Sequence, residues 1–463
     1  MSGAVDVAIV GAGPGGYVAA IRAAQLGMKV LVVDKEKELG GTCLRVGCIP
    51  SKALLESTEL YARAKGDFAV HGIRVAPEFD LDAMMKRKES IVGQLTKGVA
   101  ALFKKNKVAV VQGTARLAAG GKLLVDGTPI EARNVLLAPG AVPVVLPGVP
   151  FDGDRIVDST GALSFPDVPA ELVVIGAGYI GLEIGSIWAR LGSKVTVLEF
   201  LPRILPGMDD EIVRQAQRIL QRQGLKFELG VRVSGAKVEG SRVVVTAASE
   251  MEGGPARSYA CDRLLVAVGR RLNAEGLGLN EAGIELDAKG RILVDGHFRT
   301  TAPNVAAIGD AIGGMMLAHK ASEEGIAAVE IMAGKAGRVN YDAIPGVAYT
   351  DPEIASVGKT EEQLKEAGIP YRKGTFPFLA NGRAKALGAK EGLVKILAHE
   401  KTDRILGAHI FGPRAGELIA EIALAMEFGG SSEDLGVTCH AHPTLAEAVK
   451  EAALAVTGRA IHI

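Results

Sequence analysis

Two cysteines, Cys43 and Cys48, sit five positions apart in the stretch GGTCLRVGCIPSK at residues 40–52. Four cysteines among 463 residues are too few for a disulfide framework, so a pair crowded into one turn asks for a chemical reason. Structural zinc would want pairs such as C-x-x-C with further Cys or His close by, and the neighbourhood has none. Two inert core cysteines are the plain alternative. Against it stand Gly40, Gly41 and Gly47 and a helix that Pro50 predicts to begin there. Near a helix N-terminus and the Lys52 charge, a thiol is expected below its ordinary range and ionised near neutral pH. Thiol–disulfide exchange is the chemistry on offer, and it needs a base, because a dithiol loses protons as it is oxidised. The stretch CHAHPTLAE at 439–447 offers His442 for that task, with Glu447 placed to hold the other ring nitrogen. Thr444-Leu-Ala-Glu447 also reads as a capping box for a following helix, and an isolated His-x-His is more often structural. His440 is assigned to packing or positioning.

Such side chains must be carried by a scaffold, and the chain repeats one. Residues 5–34, VDVAIVGAGPGGYVAAIRAAQLGMKVLVVD, align without a gap on residues 170–199, AELVVIGAGYIGLEIGSIWARLGSKVTVLE. Gly11, Gly13 and Gly16 fall on Gly176, Gly178 and Gly181, and Asp34 falls on Glu199. Each copy reads as a buried strand, a G-x-G-x-x-G turn, an amphipathic helix and a second strand ending in an acid. The first glycine permits the turn, the second lets a pyrophosphate approach, and the third lets helix and strand pack closely. The helix N-terminus offers free N–H groups to phosphate, and the acid accepts from a ribose. Two dinucleotide sites in one chain suggest electrons passing from one dinucleotide to the other. Glu199 is followed by Phe200 rather than arginine, which favours NAD over NADP, with Arg203 the one nearby cation.

Length implies roughly three domains. Hydrophobic residues at 48% and charged residues at 23% describe an ordinary folded protein. The 53 basic and 53 acidic side chains argue against nucleic acid or an anionic membrane as the main partner. Scarce cysteine fits a reducing compartment. The start MSGAVDVAIVGAG enters a strand by Val5, which is read as leaving no room for a signal or transit peptide, and apolar runs break before a membrane span is reached. A soluble, cytoplasmic protein is expected.

Two further stretches flank the second copy: NVLLAPG at 134–140, a strand into a tight turn, and TAPNVAAIGD at 301–310, a strand ending in Gly309-Asp310. Alone, Gly-Asp is more often an ordinary turn. Together with the repeat and the cysteine pair, these make the chain resemble the class I FAD- and NAD-dependent pyridine nucleotide-disulfide oxidoreductases from Val5 to about Gly458. The resemblance implies an α/β protein with two Rossmann-like dinucleotide-binding domains, the second inserted in the first, and a C-terminal α+β dimerisation domain. The implied boundaries are 1–148 and 273–344 for the FAD-binding and central parts, 149–272 for the NAD-binding domain and 345–463 for the dimerisation domain. It places FAD at Gly11, Gly13, Gly16, Asp34, Lys52, Asp310 and His319, and NAD at Gly176, Gly178, Tyr179, Gly181, Glu183 and Glu199. Tyr179 resembles the residue that covers the flavin until nicotinamide displaces it, and Lys52 would pair with Glu183.

The resemblance further implies that Cys43 is the exposed thiol exchanging with substrate and that Cys48 lies against the flavin. It makes His442 and Glu447 a catalytic base pair, with a cis bond before Pro443, serving the cysteines of a second subunit in a homodimer. The ending Ile-Pro-Ser-Lys resembles members that oxidise dihydrolipoyl groups with NAD+, whereas glutathione reductases usually carry Val-Pro-Lys-Lys. The implied partners are the lipoyl-bearing acyltransferase subunit of 2-oxoacid dehydrogenase complexes or the lipoyl protein of glycine cleavage, with no metal. Arg45 and Pro139 depart from the family pattern of asparagine and Ala-Thr-Gly. The rivals are a glutathione-type NAD(P)H-dependent disulfide reductase, mercuric and thioredoxin reductases, whose extra thiol pair the tail TGRAIHI lacks, and a docking subunit or redox sensor that keeps only the fold.

Overall fold

A computed structural model describes residues 4–249 and 255–463. The chain forms two compact units. The first comprises residues up to Ala53, Asp82–Val144 and Gly269–Val339; the second comprises Leu54–Leu81, Val145–Val268 and Asn340–Ile463.

In the first unit five parallel strands lie in the order Val305–Ala307, Ala132–Leu137, Val5–Val10, Val30–Asp34, Ala109–Gln112. The central strand Val5–Val10 is apolar apart from Asp6, as a strand covered on both faces must be. Its side chains alternate between two cores. Ala8 and Val10 join Leu31, Val33 and Leu137, while Val7 and Ile9 join Val30, Val32 and Leu136.

The second unit holds another five-stranded parallel sheet, ordered Lys226–Leu229, Lys194–Glu199, Glu171–Ile175, Arg263–Val266, Ile156–Val157. The repeat survives as ladder register: Val7 faces Val30 in one sheet, and Leu172 faces Val195 in the other, both positions 165 residues further on. This unit also contains an antiparallel five-stranded sheet, ordered Gly346–Ala348, Glu353–Gly358, Ile405–Gly412, Leu393–His399, Tyr371–Pro377. Helices Ala415–Glu427 and Glu447–Ala455 pack on it through Ile419, Ile422, Val449 and Ala452.

On strand Leu393–His399, Val394 and Ile396 enter that apolar core, and Lys395 between them points the other way. There its Nζ lies 2.6 Å from Glu361, 2.9 Å from Asp209 and 3.1 Å from Glu211, with no part of the lysine exposed. Asp209 caps the helix Asp210–Arg222, so the ion cluster fastens that helix to the antiparallel sheet. Among the described residues no helix is long and apolar enough to cross a membrane.

Candidate active site

The two glycine turns are built alike. A Cβ on Gly11 or Gly176 would collide with the carbonyl oxygen of Ala138 or Ala267, and one on Gly16 or Gly181 with that of Gly11 or Gly176. The outer glycines are therefore explained by the chain's own backbone. The middle ones are not. A Cβ on Gly178 would meet nothing within 4 Å, and one on Gly13 would meet only the Gly41 Cα at 3.9 Å. Helices Pro14–Gln25 and Tyr179–Leu191 start at Gly13 and Gly178 without any side-chain cap, leaving N–H donors at their starts. An open approach over uncapped donors fits the pyrophosphate of a dinucleotide at both turns.

Both strand-end acids first serve the turn itself. The Ala12 N–H donates to Asp34 Oδ2 at 2.6 Å and the Glu36 N–H to Oδ1 at 2.9 Å. At the second turn Ala177 N–H donates to Glu199 Oε2 at 2.7 Å and Leu201 N–H to Oε1 at 2.8 Å. Each carboxylate oxygen has more than one lone pair, so a ribose hydroxyl can still be received. Arg203 is held elsewhere: its guanidinium pairs with Asp210 and donates to the Met208 carbonyl. Neither contact was visible in the sequence, and both engage the Arg203 guanidinium.

The cysteines hang on the first turn. Gly40 N–H donates to the Ala12 carbonyl at 2.9 Å, and a short helix Gly41–Arg45 carries Cys43 onward. The next helix runs Cys48–Lys65, two residues earlier than Pro50 predicted, so Cys48 is its first residue. Proline is tolerated at the third position because first-turn N–H groups have no intrahelical partner. The two sulfurs are free and within hydrogen-bond reach of one another. Its hydrogen bond to Cys48 pushes the Cys43 thiol far up, burial adds to this, and the Lys52 charge only partly opposes it. That direction is opposite to the lowering expected of a thiol beside a helix start and Lys52. Cys43 is half-buried and Cys48 exposed. Arg45, one of the departures, pairs with Glu36 at 2.9 Å. Pro139, the other, leaves its carbonyl to accept from Asn273 Nδ2 at 3.2 Å.

Asp310 lies on a single turn Gly309–Ala311 directly after strand Val305–Ala307 and its following residue. Burial pushes its carboxyl up, against the pull of Arg270 and Lys320. His319 lies at the second position of helix Ala318–Met332. Sequence reading missed the neighbours that hold this turn, Lys320 and Glu324, whose i,i+4 spacing was visible but whose burial was not. In the second unit Tyr179 opens its helix, and a Cβ on Gly346 would lie 3.2 Å from its hydroxyl. Burial and the adjacent Glu183 raise the phenol. Glu183 is itself buried and accepts the Tyr349 N–H at 3.0 Å, a contact the sequence did not suggest.

His442 is exposed, with Nδ1 2.8 Å from Glu447 Oε1, and the His442–Pro443 bond is cis. Glu447 does two jobs at once. Its second oxygen accepts the Thr444 N–H at 2.8 Å, the backbone half of a capping box, while the Thr444 hydroxyl bonds the Ala441 carbonyl instead of capping. Burial lifts the Glu447 carboxyl, but the Thr444 and His442 bonds outweigh it and hold it below the usual carboxylate range. His440 is tied to Glu421 at 2.6 Å and to the Thr438 carbonyl at 2.9 Å, a structural placement.

Residues 5–325 match the family model of the pyridine nucleotide-disulphide oxidoreductases, and residues 344–453 match the dimerisation domain of that family. The chain is 53% identical to the mitochondrial dihydrolipoyl dehydrogenase of Pisum sativum, over 99% of this chain and 92% of that one. It is 52% identical to dihydrolipoyl dehydrogenase 3 of Pseudomonas aeruginosa, over 98% of each. Among solved structures, LpdA of Mycobacterium tuberculosis superposes with a TM-score of 0.89 at 28% identity, covering 97% of this chain and 99% of that one. With two dinucleotide turns, a cysteine pair hung on the first of them and a dimerisation domain behind, the chain belongs to the pyridine nucleotide-disulphide oxidoreductase family, which works with FAD and NAD.

Proposed function

We propose that this chain oxidises protein-bound dihydrolipoyl groups to lipoyl groups and passes the electrons to NAD+. The observation that carries the reading is the Cys43–Cys48 pair, two cysteines in hydrogen-bond contact at a helix start beside Lys52. Gly11, Gly13, Gly16, Asp34, Lys52, Asp310 and His319 hold FAD, and Gly176, Gly178, Tyr179, Gly181, Glu183 and Glu199 hold NAD. When bound, FAD supplies a two-electron acceptor for the dithiol and a hydride donor for NAD+.

The chain's own residues carry the sulfur chemistry. One thiolate of the substrate attacks Cys43 Sγ of the oxidised pair, breaking the Cys43–Cys48 bond and leaving Cys48 as thiolate. The second substrate thiolate attacks the substrate sulfur of that mixed disulfide, closing the lipoyl ring and releasing Cys43. Of the two protons the substrate gives up, one comes to rest on Cys43, where the bond to Cys48 holds it, and the other goes to His442 Nε2. Glu447 on Nδ1 keeps the ring turned and fixes its orientation. His442 of one subunit serves the pair of the other. The lipoyl group arrives on an acyltransferase subunit or a glycine-cleavage carrier, in the cytoplasm.

Steady-state turnover with dihydrolipoamide and NAD+ is expected, with little or none with oxidised glutathione and NADPH. The opposite preference would overturn the substrate assignment. Cys43→Ser and Cys48→Ser are each expected to abolish turnover, while only Cys48→Ser removes the long-wavelength absorbance that two-electron reduction produces. Loss of that band in Cys43→Ser instead would exchange the roles of the two cysteines.

A further inference from the structure

Helix Ala318–Met332 is tied to the Gly309–Asp310 turn by charge. Lys320 and Glu324, one helical turn apart, form an ion pair at 2.8 Å with 3% and 0% of their side chains exposed. Glu324 Oε2 accepts the Gly309 N–H at 2.7 Å, and Lys320 Nζ donates to the Gly309 carbonyl at 3.3 Å. The peptide groups on both sides of the Gly309 Cα are thus gripped, each by one member of the pair. Gly309 takes φ +73°, a conformation open to glycine, and the residue it delivers next is Asp310.

The same helix is pressed against helix Pro14–Gln25. A Cβ on Gly325 would lie 2.6 Å from the Gly15 carbonyl, one on Gly15 would lie 3.0 Å from the Ala321 carbonyl, and Ser322 Oγ donates to the Pro14 carbonyl at 3.4 Å. The helix therefore cannot slide relative to the first glycine turn. Packing of this kind needs no charge. Burying two opposite charges is often no better for stability than an apolar pair of the same volume, so the fold alone gives no reason for this pair.

We propose that Lys320 and Glu324 are positioning residues for the flavin: they fix the Gly309 peptide groups so that the Asp310 carboxylate faces the ribityl chain. The proposal rests on the reading of Asp310 as a flavin ligand. Both residues act through the Gly309 turn. Asp310 is flanked by Lys320 and Glu324 from this helix and by Arg270 from the strand Arg270–Leu272.

The test is FAD titration into apoprotein, read by flavin fluorescence quenching, with the melting temperature of the same apoprotein measured alongside. Lys320→Met/Glu324→Leu replaces the pair by apolar side chains and is expected to fold, because removing both charges leaves none unpaired. Its FAD Kd is expected to rise by about 10- to 100-fold, the loss of two charge-assisted bonds. A purely structural pair would lower the melting temperature and leave the Kd of the folded apoprotein unchanged; that result overturns the proposal. Should the double variant not fold, Lys320→Met/Glu324→Gln leaves no unpaired charge and keeps an acceptor for the Gly309 N–H while removing the donor to its carbonyl; a several-fold rise in Kd is expected there, and an unchanged Kd is equally fatal. Asp310→Asn separates the two claims. If it too binds FAD normally, the reading of Asp310 falls; if it loses FAD while the double variant does not, only the positioning role falls.

Discussion

At the scale of single residues, the site is a set of groups whose second contacts are already committed. Glu447 divides its two oxygens between the His442 ring and the Thr444 N–H. Glu447→Gln is expected to slow reduction of the cysteine pair roughly 10- to 100-fold, a share of what a positioned base supplies, with the flavin spectrum and KM for NAD+ unchanged. Stopped-flow reduction by dihydrolipoamide reads this directly, and a rate within error of the unmodified enzyme would reduce Glu447 to a cap. Because its folded pKa is depressed, the Glu447 contribution is present above the unfolded value of about 4.3 and fades as pH falls through the folded one. Glu199 makes a similar case. With Arg203 captured by Asp210, Glu199→Ala is expected to raise KM for NAD+ about tenfold without conferring use of NADP+. A gain of NADP+ turnover in that single variant would mean Arg203 is free to move.

At the scale of elements, the decisive join is between the first glycine turn and the cysteine helices. Gly41 takes φ +61°, and a Cβ there would sit 2.5 Å from the Gly13 Cα, backbone against backbone. Gly41→Ala is therefore expected to cost about 1–3 kcal/mol, by strain at positive φ and by forcing the two turns apart. The chemical denaturation midpoint should fall and FAD should be lost more readily, since the displaced neighbour is Gly13, the glycine proposed to admit the phosphate. If stability dropped with FAD retention intact, the turn and the cysteine segment would be less tightly joined than the contact says. Gly27→Ala is the control at a glycine that also has positive φ but meets nothing within 4 Å.

At the scale of the whole molecule, the second unit depends on one buried cation: Lys395 holds the helix Asp210–Arg222 to the antiparallel sheet through three carboxylates. Lys395→Met removes that cation and leaves Asp209 and Glu361 facing each other, an expected loss of about 3–5 kcal/mol in urea unfolding. Burial pushes the Asp209 and Glu361 carboxyls up, but His409 and Lys395 around Asp209, and Lys395 and Tyr371 around Glu361, outweigh it and depress both. The stability these carboxylates contribute is thus present above their unfolded range of about 4 and is lost as pH falls through the folded values. Burial pulls Lys395 down, yet Glu361 and Asp209 raise it to about 12. Its contribution is complete below the unfolded value of about 10.4 and lost as pH rises through the folded one. Stability from this cluster should therefore be level from about pH 5 to pH 10 and drop on both sides, and the drops should be missing in Lys395→Met. Identical acid and alkaline limbs in the two proteins would show that other groups set them.

By itself the sequence determined whatever is local and periodic. The gapless repeat predicted two strand–turn–helix–strand units, and the ladders keep its offset because a parallel strand buried on both faces allows no slip without exposing one core. The cysteine spacing and the His-Pro-x-x-x-Glu spacing were likewise legible, since both pairs act across a single turn of chain. What tertiary structure decided is every contact that depends on how the chain turns back on itself and on what then buries it. Arg203 near Glu199 looked free until Asp210 and Met208 folded back on it. Lys395 alternates with Val394 and Ile396 on its strand, and only the helix packed over it turned its face inward. Cys43 and Cys48 read as two activated thiols, whereas their hydrogen bond and burial push the Cys43 thiol up. A chain spells out which groups are present and how local backbone will run; the free energy of a charge depends on what surrounds it, and that is settled only when distant segments meet.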